Sequence, residues 1–230
     1  MLFMLFVAFA ALVLRALWIQ GPGNAFYEAK GVKGTQRELE MSASRGKILD
    51  RNGQVIATSL EAKAVIAYND TIPKDLSDEK IKQLAALLDM REGDVRKKLK
   101  EERNQVFLKR QVEPAIAQQI RKLQIPGIGL NNEFRRFYPE GEAMAHVVGF
   151  TNVEDRGQEG MELSRENDLA ASTGKRRVVV DRLGRIVEDM GVLQLPQNGK
   201  DLKLSVDSKI QYIAYNALKD AVEKHRAKAA

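Results

Sequence analysis

The sequence predicts an α+β chain: an N-terminal transmembrane helix, then a β-hairpin-rich module that carries a small helical subdomain. Three observations predict it. Residues 1–14 carry no charge and almost no polar group. Two D-R-x-G turns, Asp50-Arg51-Asn52-Gly53 and Asp181-Arg182-Leu183-Gly184, each lie between β-favouring runs. Between about 75 and 125, apolar residues recur at helical spacing.

The apolar run resumes after Arg15 with Ala16-Leu17-Trp18-Ile19. A helix of about 19 residues spans about 28 Å, close to the bilayer core. Trp18 stands where an interfacial aromatic belongs, and Arg15 can snorkel to the same surface. Ala8-Phe9-Ala10 has the form of a leader-peptide cleavage site, but cutting there splits the apolar run in its middle. Residues 1–20 are therefore read as an uncleaved anchor in a lipid bilayer. Gly21-Pro22-Gly23-Asn24 closes it, and residues 21–42 form a polar juxtamembrane linker.

Ile48-Leu49 and Val55-Ile56 flank Asn52-Gly53, the dipeptide of a type I′ turn, so this stretch is expected to be a tight hairpin. Arg45 and Arg51 bring two cations close to it, and Gly46 and Asp50 complete the run. Lys63–Tyr68 reads as a separate strand. Ser77 is an expected N-cap for a helix with Ile81, Leu84, Leu87 and Leu88 on one face. A second helix, about 93–102, presents Val95 and Leu99. Val106–Leu108 is a strand. Pro114 opens a helix that turns Ile116, Ile120 and Leu123 inward, and Pro126-Gly127 ends it. Residues 133–138 are extended. The second D-R-x-G turn lies between Val178-Val179-Val180 and Ile186-Val187, and both turns are expected in one sheet. From Ser208, Ile210, Ile213, Ala214, Ala217, Leu218, Ala221 and Val222 form one apolar stripe of a terminal helix. Such a face requires a cover: either earlier residues of the chain or polypeptide beyond Ala230.

Composition narrows the chemistry. With no cysteine, disulfides, thiolate metal sites and cysteine nucleophiles are excluded. The net charge is +6, but 37 basic and 31 acidic residues are interspersed and aromatics are 6%, which reads as a solvated surface without nucleic-acid binding. His146 and His225 are far apart, and His146 reads as a packed histidine. No EF-hand or zinc spacing surrounds Glu154, Asp155, Asp201 or Asp207, so no metal or cofactor is expected. Glu159 and Glu162 admit a glycosidase reading only by their proximity.

Five segments in order carry a family resemblance. Residues 45–57, RGKILDRNGQVIA, are similar to the first signature of the non-catalytic module of class B penicillin-binding proteins. Arg136-Phe137-Tyr138-Pro139-Glu140-Gly141 with Ala145–Phe150 resembles the R-x-Y-P-x-G…A-H-V-x-G segment. Gly157-Gln158-Glu159-Gly160-Met161-Glu162 resembles G-x-x-G-x-E. GKRRVVVDRLGRIV and NGKDLKLSVDSKIQ follow in order. The wording from Val148 to Leu163 is most similar to the septal, cell-division branch of peptidoglycan D,D-transpeptidases.

The resemblance implies an elongated pedestal or dimerisation domain over 43–200, with a helical insert at about 75–125, and the start of a truncated transpeptidase domain at 201–230. Its motif residues are Arg45, Gly46, Asp50, Arg51, Gly53, Arg136, Tyr138, Pro139, Gly141, Gly157, Gly160, Glu162, Asp181 and Gly184. It implies that Glu162 is structural and pairs with an arginine, for which Arg45 and Arg51 are the candidates. It also implies a single-pass inner-membrane protein with its bulk in the periplasm. Charge counting alone points the other way, because no Lys or Arg precedes the anchor whereas Arg15, Lys30, Lys33 and Arg37 follow it; the resemblance implies a basic tail upstream of Met1. Its implied partners are the septal polytopic glycosyltransferase and other divisome membrane proteins.

The family's acyl-serine chemistry needs Ser-x-x-Lys, Ser-x-Asn and Lys-Thr-Gly. Ser-x-x-Lys occurs at Ser44–Lys47, Ser77–Lys80 and Ser172–Lys175, whereas Ser-x-Asn and Lys-Thr-Gly do not occur. The first and third hits contain a glycine and border strands, so the one-turn spacing is lost. Ser77 has a capping role. The sequence thus predicts a non-catalytic anchor and pedestal; the alternative is a stand-alone membrane-anchored scaffold with no enzyme attached.

Overall fold

The structure is a computed structural model, and it describes residues 4, 6, 7, 9–12, 15, 36–73, 75–180 and 186–227. Most of the expected anchor and residues 21–35 of the linker lie outside these. Among the described residues no helix is long and apolar enough to cross a membrane.

The chain divides into two compact units, Met1–Met41 with Gly174–Leu195, and Ser42–Thr173 with Pro196–Ala230. The described part of the first unit is a three-stranded antiparallel sheet in the order β1 (Gln36–Met41), β6 (Gly174–Val180), β7 (Ile186–Gln194). Glu38 faces Arg177 across β1 and β6, 3.6 Å from its guanidinium, and Arg176 lies 3.4 Å from Asp189 on β7. Val178 is buried, whereas Val187, Met190 and Val192 are exposed. Val180 pairs with Ile186, as expected of strands joined by a hairpin. The turn residues Asp181 and Gly184 lie outside the described residues.

In the second unit, β3 (Val55–Tyr68) is the spine. It pairs antiparallel with β2 (Ile48–Leu49), β4 (Gln105–Val112) and β5 (Ile128–Phe137), and β2 pairs parallel with β8 (Leu202–Lys203). The expected break between Val55-Ile56 and Lys63 is absent. Ala57–Ala62 favours no strand by itself, but Thr58 to Ala67 pairs continuously with Phe137 to Ile128; ladder pairing overrides local propensity.

Three helices cover one end of this sheet: α1 (Asp78–Leu88), α2 (Glu92–Leu99) and α3 (Pro114–Lys122). The expected stripes bury Ile81, Leu84, Leu88, Val95 and Ile120 against Val65, Ala67, Leu108 and Val112. Ser77 stands at the N-cap of α1 with extended backbone, but its hydroxyl makes no capping bond; Asp78 and Glu79 place negative charge at that end instead. A second core joins Ile48, Ile56 and Ala57 to Met144, Val148 and Leu169. It is closed by the short helices α4 (Ala145–Val148), α5 (Gly160–Ser164) and α6 (Glu166–Leu169).

Three expectations are corrected, and the direction of the terminal apolar stripe is fixed. The turn after β2 is not type I′, because only Gly53 among its residues has positive φ, at 86°. Gly53 N donates to Asp50 O at 3.1 Å and Asp50 N to Gln54 O at 2.9 Å, the arrangement of a type I turn followed by a glycine bulge. The strands that flank the two D-R-x-G segments belong to different sheets, since β2–β3 and β6–β7 share no strand pairing. His146 is exposed rather than packed, because its turn presents Val148 to the core. The terminal helix α7 (Ser208–His225) turns its apolar stripe outward, with Ile213 at 67% and Leu218 at 54% exposure.

Leu84 has no exposed surface in the first core. Leu84→Ala is expected to cost about 2–5 kcal/mol, read as a lower urea midpoint at unchanged slope for the isolated chain.

Candidate functional site

Glu162 sits at the N-terminus of α5 with 0% exposure, between two guanidiniums. Arg45 Nε donates to its Oε2 and Arg136 Nε to its Oε1, both at 2.7 Å. Arg45 Nη2 also donates to the backbone O of Glu162 at 2.9 Å and to Glu166 Oε2 at 2.6 Å, and Arg45 Nη1 donates to Asp155 O at 2.9 Å. Arg136 Nη1 reaches Ser59 Oγ at 3.2 Å. Its Nη2 is buried with no hydrogen-bond partner. Each nitrogen of Arg45 thus has a partner, whereas Arg136 leaves one nitrogen without a partner among the described residues.

Local chain geometry brings these groups together. Arg136 projects from β5 beside β3. Arg45 precedes β2. Glu162 is delivered by the loop before α5, and that loop needs glycine twice. A Cβ on Gly157 falls 2.2 Å from the backbone O of Glu162, so only a bare backbone lets the loop close against the first turn of α5. Gly160 has φ +58°, and its added Cβ meets Gly149 N at 2.6 Å. Gly157 N donates to Glu166 Oε2 at 3.0 Å, which fixes that second carboxylate.

Burial opposes the charge on Arg45, but hydrogen bonds and attraction from Glu166 and Glu162 outweigh it and hold the guanidinium above its ordinary pKa. For Glu166 burial also works against ionisation, and Arg45 together with Gly157 N more than reverses it, so the carboxyl is lowered. Asp155 moves the other way. Burial pushes it up to about 6, with Glu162 and Glu166 adding repulsion and Arg45 and Arg136 opposing. Burial and Glu162 raise Tyr138, whose hydroxyl accepts from Thr151 N at 3.1 Å.

A second node forms at Asp50, also 0% exposed. Its Oδ1 accepts from Asn52 N and Gln54 N at 2.7 and 2.8 Å, and its Oδ2 accepts from Ser208 Oγ at 2.6 Å. The Ser208 hydroxyl, with backbone amides, holds this carboxyl well below the usual carboxylate range.

The structure thus places Arg45, Arg136 and Glu162 in one cluster, with Gly157 and Gly160 shaping the loop and Tyr138 alongside. Arg45 is the partner of Glu162. Arg51 is not: it is exposed at the hairpin, and its backbone N bonds Val206 O at 2.9 Å. Gly46 lets strand β2 lie against Lys200, whose O is 2.0 Å from an added Cβ. Gly53 serves the hairpin bulge. Pro139 and Gly141 form the exposed bend after β5. Asp181 and Gly184 are outside the described residues. Sequence reading did not single out Glu166, Gly149 or Ser208. Two arginines around one carboxylate required a second acid, and Glu166, four residues past Glu162, was the available signal.

Both oxygens of Glu162 are occupied by guanidiniums, and Glu159 is exposed, so this pair does not flank an open cleft as a glycosidase requires. Among the described residues no group of three or more His, Asp or Glu side chains is placed to hold a metal ion. Ser44 lies in the coil before β2, Ser77 ahead of α1, and Ser172 in an isolated bridge to Gln197. The arrangement fastens three distant segments and offers no reactive group to solvent.

Comparison with known proteins agrees with that order of segments. The family described as "Penicillin-binding Protein dimerisation domain" matches residues 40–204. A probable peptidoglycan D,D-transpeptidase, PenA, of Neisseria gonorrhoeae is 37% identical over 97% of this chain and 39% of its own length. The peptidoglycan D,D-transpeptidase FtsI of Escherichia coli K12 is 36% identical over 96% of this chain and 38% of its own length. The chain therefore spans about two fifths of the curated relatives it matches. Among solved structures, a complex between penicillin-binding protein PBP2 and MreC from Helicobacter pylori aligns with TM-score 0.60 at 21% identity, over 80% of this chain and 38% of that one, which shows the shared fold. The chain belongs to the penicillin-binding protein dimerisation-domain family.

Removing one partner of a buried charge cluster leaves the others unpaired. Glu162→Ala is expected to destabilise the chain by about 3–5 kcal/mol, measured by urea unfolding. For pH dependence, Asp155 has a folded pKa raised to about 6, against an unfolded value of about 3.9. Its contribution is present below the unfolded value and is lost as pH rises through the folded one. The stability gained by Asp155→Asn over the native chain is thus expected to grow from about pH 4 to about pH 6 and then level off; a pH-independent difference contradicts the assignment.

Proposed function

We propose that this penicillin-binding protein dimerisation module is the non-catalytic anchor and pedestal of a bacterial cell-division D,D-transpeptidase. Its relatives named as peptidoglycan D,D-transpeptidases support this reading. In it, the apolar N-terminal segment crosses the inner membrane once, and the two β units stand in the periplasm. The work of the chain is positional: it sets the height and orientation of a transpeptidase domain that continues from α7 in the complete protein and cross-links septal peptidoglycan through an acyl-serine.

The observation that carries this reading is the Glu162 cluster. Three of the five boxes that carry the family resemblance converge on one buried carboxylate held by Arg45 and Arg136. A carboxylate so enclosed braces a fold and does not turn over substrate. The outward apolar stripe of α7 fits the same reading, because Ile210, Ile213 and Leu218 then pack against the domain that follows. Partners are proposed on the same footing: a polytopic glycosyltransferase of septal wall synthesis and other divisome membrane proteins contact the anchor and pedestal. That a penicillin-binding protein of this fold is found in complex with MreC supports the expectation of a protein partner.

A fluorescent β-lactam is expected to label the complete protein in bacterial membranes and to leave the 230-residue chain blank. Covalent labelling of the short chain, or no labelling of the complete protein, overturns the reading.

A further inference from the structure

Among the described residues, every hydrogen bond and ion pair that α7 makes to the rest of its unit comes from its polar side, and one of them enters the hairpin. Gln211 Nε2 donates to Ala143 O at 3.1 Å, Tyr215 Oη donates to Glu142 Oε2 at 2.6 Å, and Lys219 Nζ lies 3.8 Å from the same oxygen. The last two are rim contacts to the exposed Glu142, and the first reaches the backbone of Ala143. The contact at the helix start differs. Ser208 is 2% exposed; its Oγ donates to Asp50 Oδ2 at 2.6 Å and its backbone N to the same oxygen at 3.3 Å.

Neither element needs the other for its own closure. Asp207 already caps α7, accepting from Lys209 N at 3.1 Å and Ile210 N at 3.3 Å. The hairpin turn already closes through the Asp50–Gln54 and Gly53–Asp50 backbone bonds. Strand β8 lies on β2 through Leu202 N to Lys47 O and Leu204 N to Leu49 O, both 2.8 Å, and Arg51 N bonds Val206 O. That register ends at Val206, and the strand by itself leaves the direction of α7 open. The first side-chain contacts past it are Ser208 to Asp50 and Asn52 Nδ2 to Asp207 Oδ2, at 3.0 Å.

We propose that Asp50 couples the hairpin turn to the start of α7, so that loosening either one loosens the other and the hairpin sets the helix direction. The physical reason is that one carboxylate, sealed from water, serves both. A buried carboxylate stays ionised only while donors satisfy it. Three of its donors come from the turn, Asn52 N, Gln54 N and, at 3.5 Å, Asn52 Nδ2, and two from Ser208. Removing the Ser208 hydroxyl, the shorter of that pair, frees Asp50 Oδ2 on its helix side, so that the carboxylate can rotate and admit water, which loosens its bonds to the turn amides. Coupling of this kind is reciprocal. Nothing in it requires chain beyond this polypeptide or any enzymatic role.

Amide hydrogen exchange followed by NMR on the 230-residue chain tests it. In Ser208→Ala, the Asn52 and Gln54 amides, which lie in another element, are expected to exchange at least about tenfold faster, the scale of one hydrogen bond to a charged group. The Gly157 amide, held by Glu166, keeps its native rate. Ser208→Cys, which keeps the volume and offers a weak S–H donor, is expected to fall between the native chain and Ser208→Ala. Asp50→Asn loosens the Asn52, Gln54 and Ser208 amides together. If Ser208→Ala speeds only the Ser208 to Ile210 amides, the turn and helix are independent and the proposal fails. It fails equally if the Gly157 amide speeds by the same factor, because the effect is then a general loss of stability.

Discussion

The second unit depends on the double engagement of Glu162. A carboxylate with no exposed surface carries a desolvation cost of several kcal/mol, and it is tolerated here because each oxygen receives a guanidinium N–H at 2.7 Å. The three side chains come from before β2, from β5 and from α5. Satisfying one buried charge therefore fixes three segments far apart in sequence, and a partial solution is worse than none. Buried ionic groups add little net stability compared with well-packed apolar ones, but they are intolerant of alternatives. In this fold they set where the α5 loop lies on the sheet.

The rest of the site follows from that requirement. Two guanidiniums against one carboxylate leave positive charge unbalanced, and Glu166 supplies the second anion at 2.6 Å from Arg45. With Asp155 also close, three carboxylates surround two arginines, and burial pushes Asp155 toward its neutral form. Gly157 is required because the loop backbone passes directly under Glu162 O. Asp50 solves the same problem separately, with hydroxyl and amide donors in place of arginines. The two nodes stabilise different things: one closes a loop on the sheet, the other joins a turn to a helix.

A module so built suits a bracing role. The long spine β3 carries the helical core at one end and the charge cluster beside the other. The chain's membership of the dimerisation-domain family agrees with a fold whose distinctive residues are spent on internal fastening. Its exposed apolar residues are most numerous on β7 and α7, and others, Phe137, Val153 and Leu163, lie on the segments that carry the buried cluster.

Most of the element order was legible in the sequence, because it depends on local chemistry. Pro114 and the stripe Ile81, Leu84, Leu88 placed α3 and α1, and the five ordered boxes identified the family. Glycine at 157 and 160 and the pairing of Glu162 with an arginine were expected as well. What was not legible depends on contacts between distant segments. The choice of Arg45 over Arg51, and the addition of Arg136, depend on which guanidinium the folded sheet brings to a sealed carboxylate. The continuity of β3 through Ala57–Ala62 depends on β5 pairing. The turn at Asn52-Gly53 took a bulged form because Asp50 was already committed to the Asn52 and Gln54 amides. Periodicity determined that α7 has an apolar stripe; only the tertiary structure decided that this stripe faces outward, because the polar contacts at Asp50, Ala143 and Glu142 hold the opposite side.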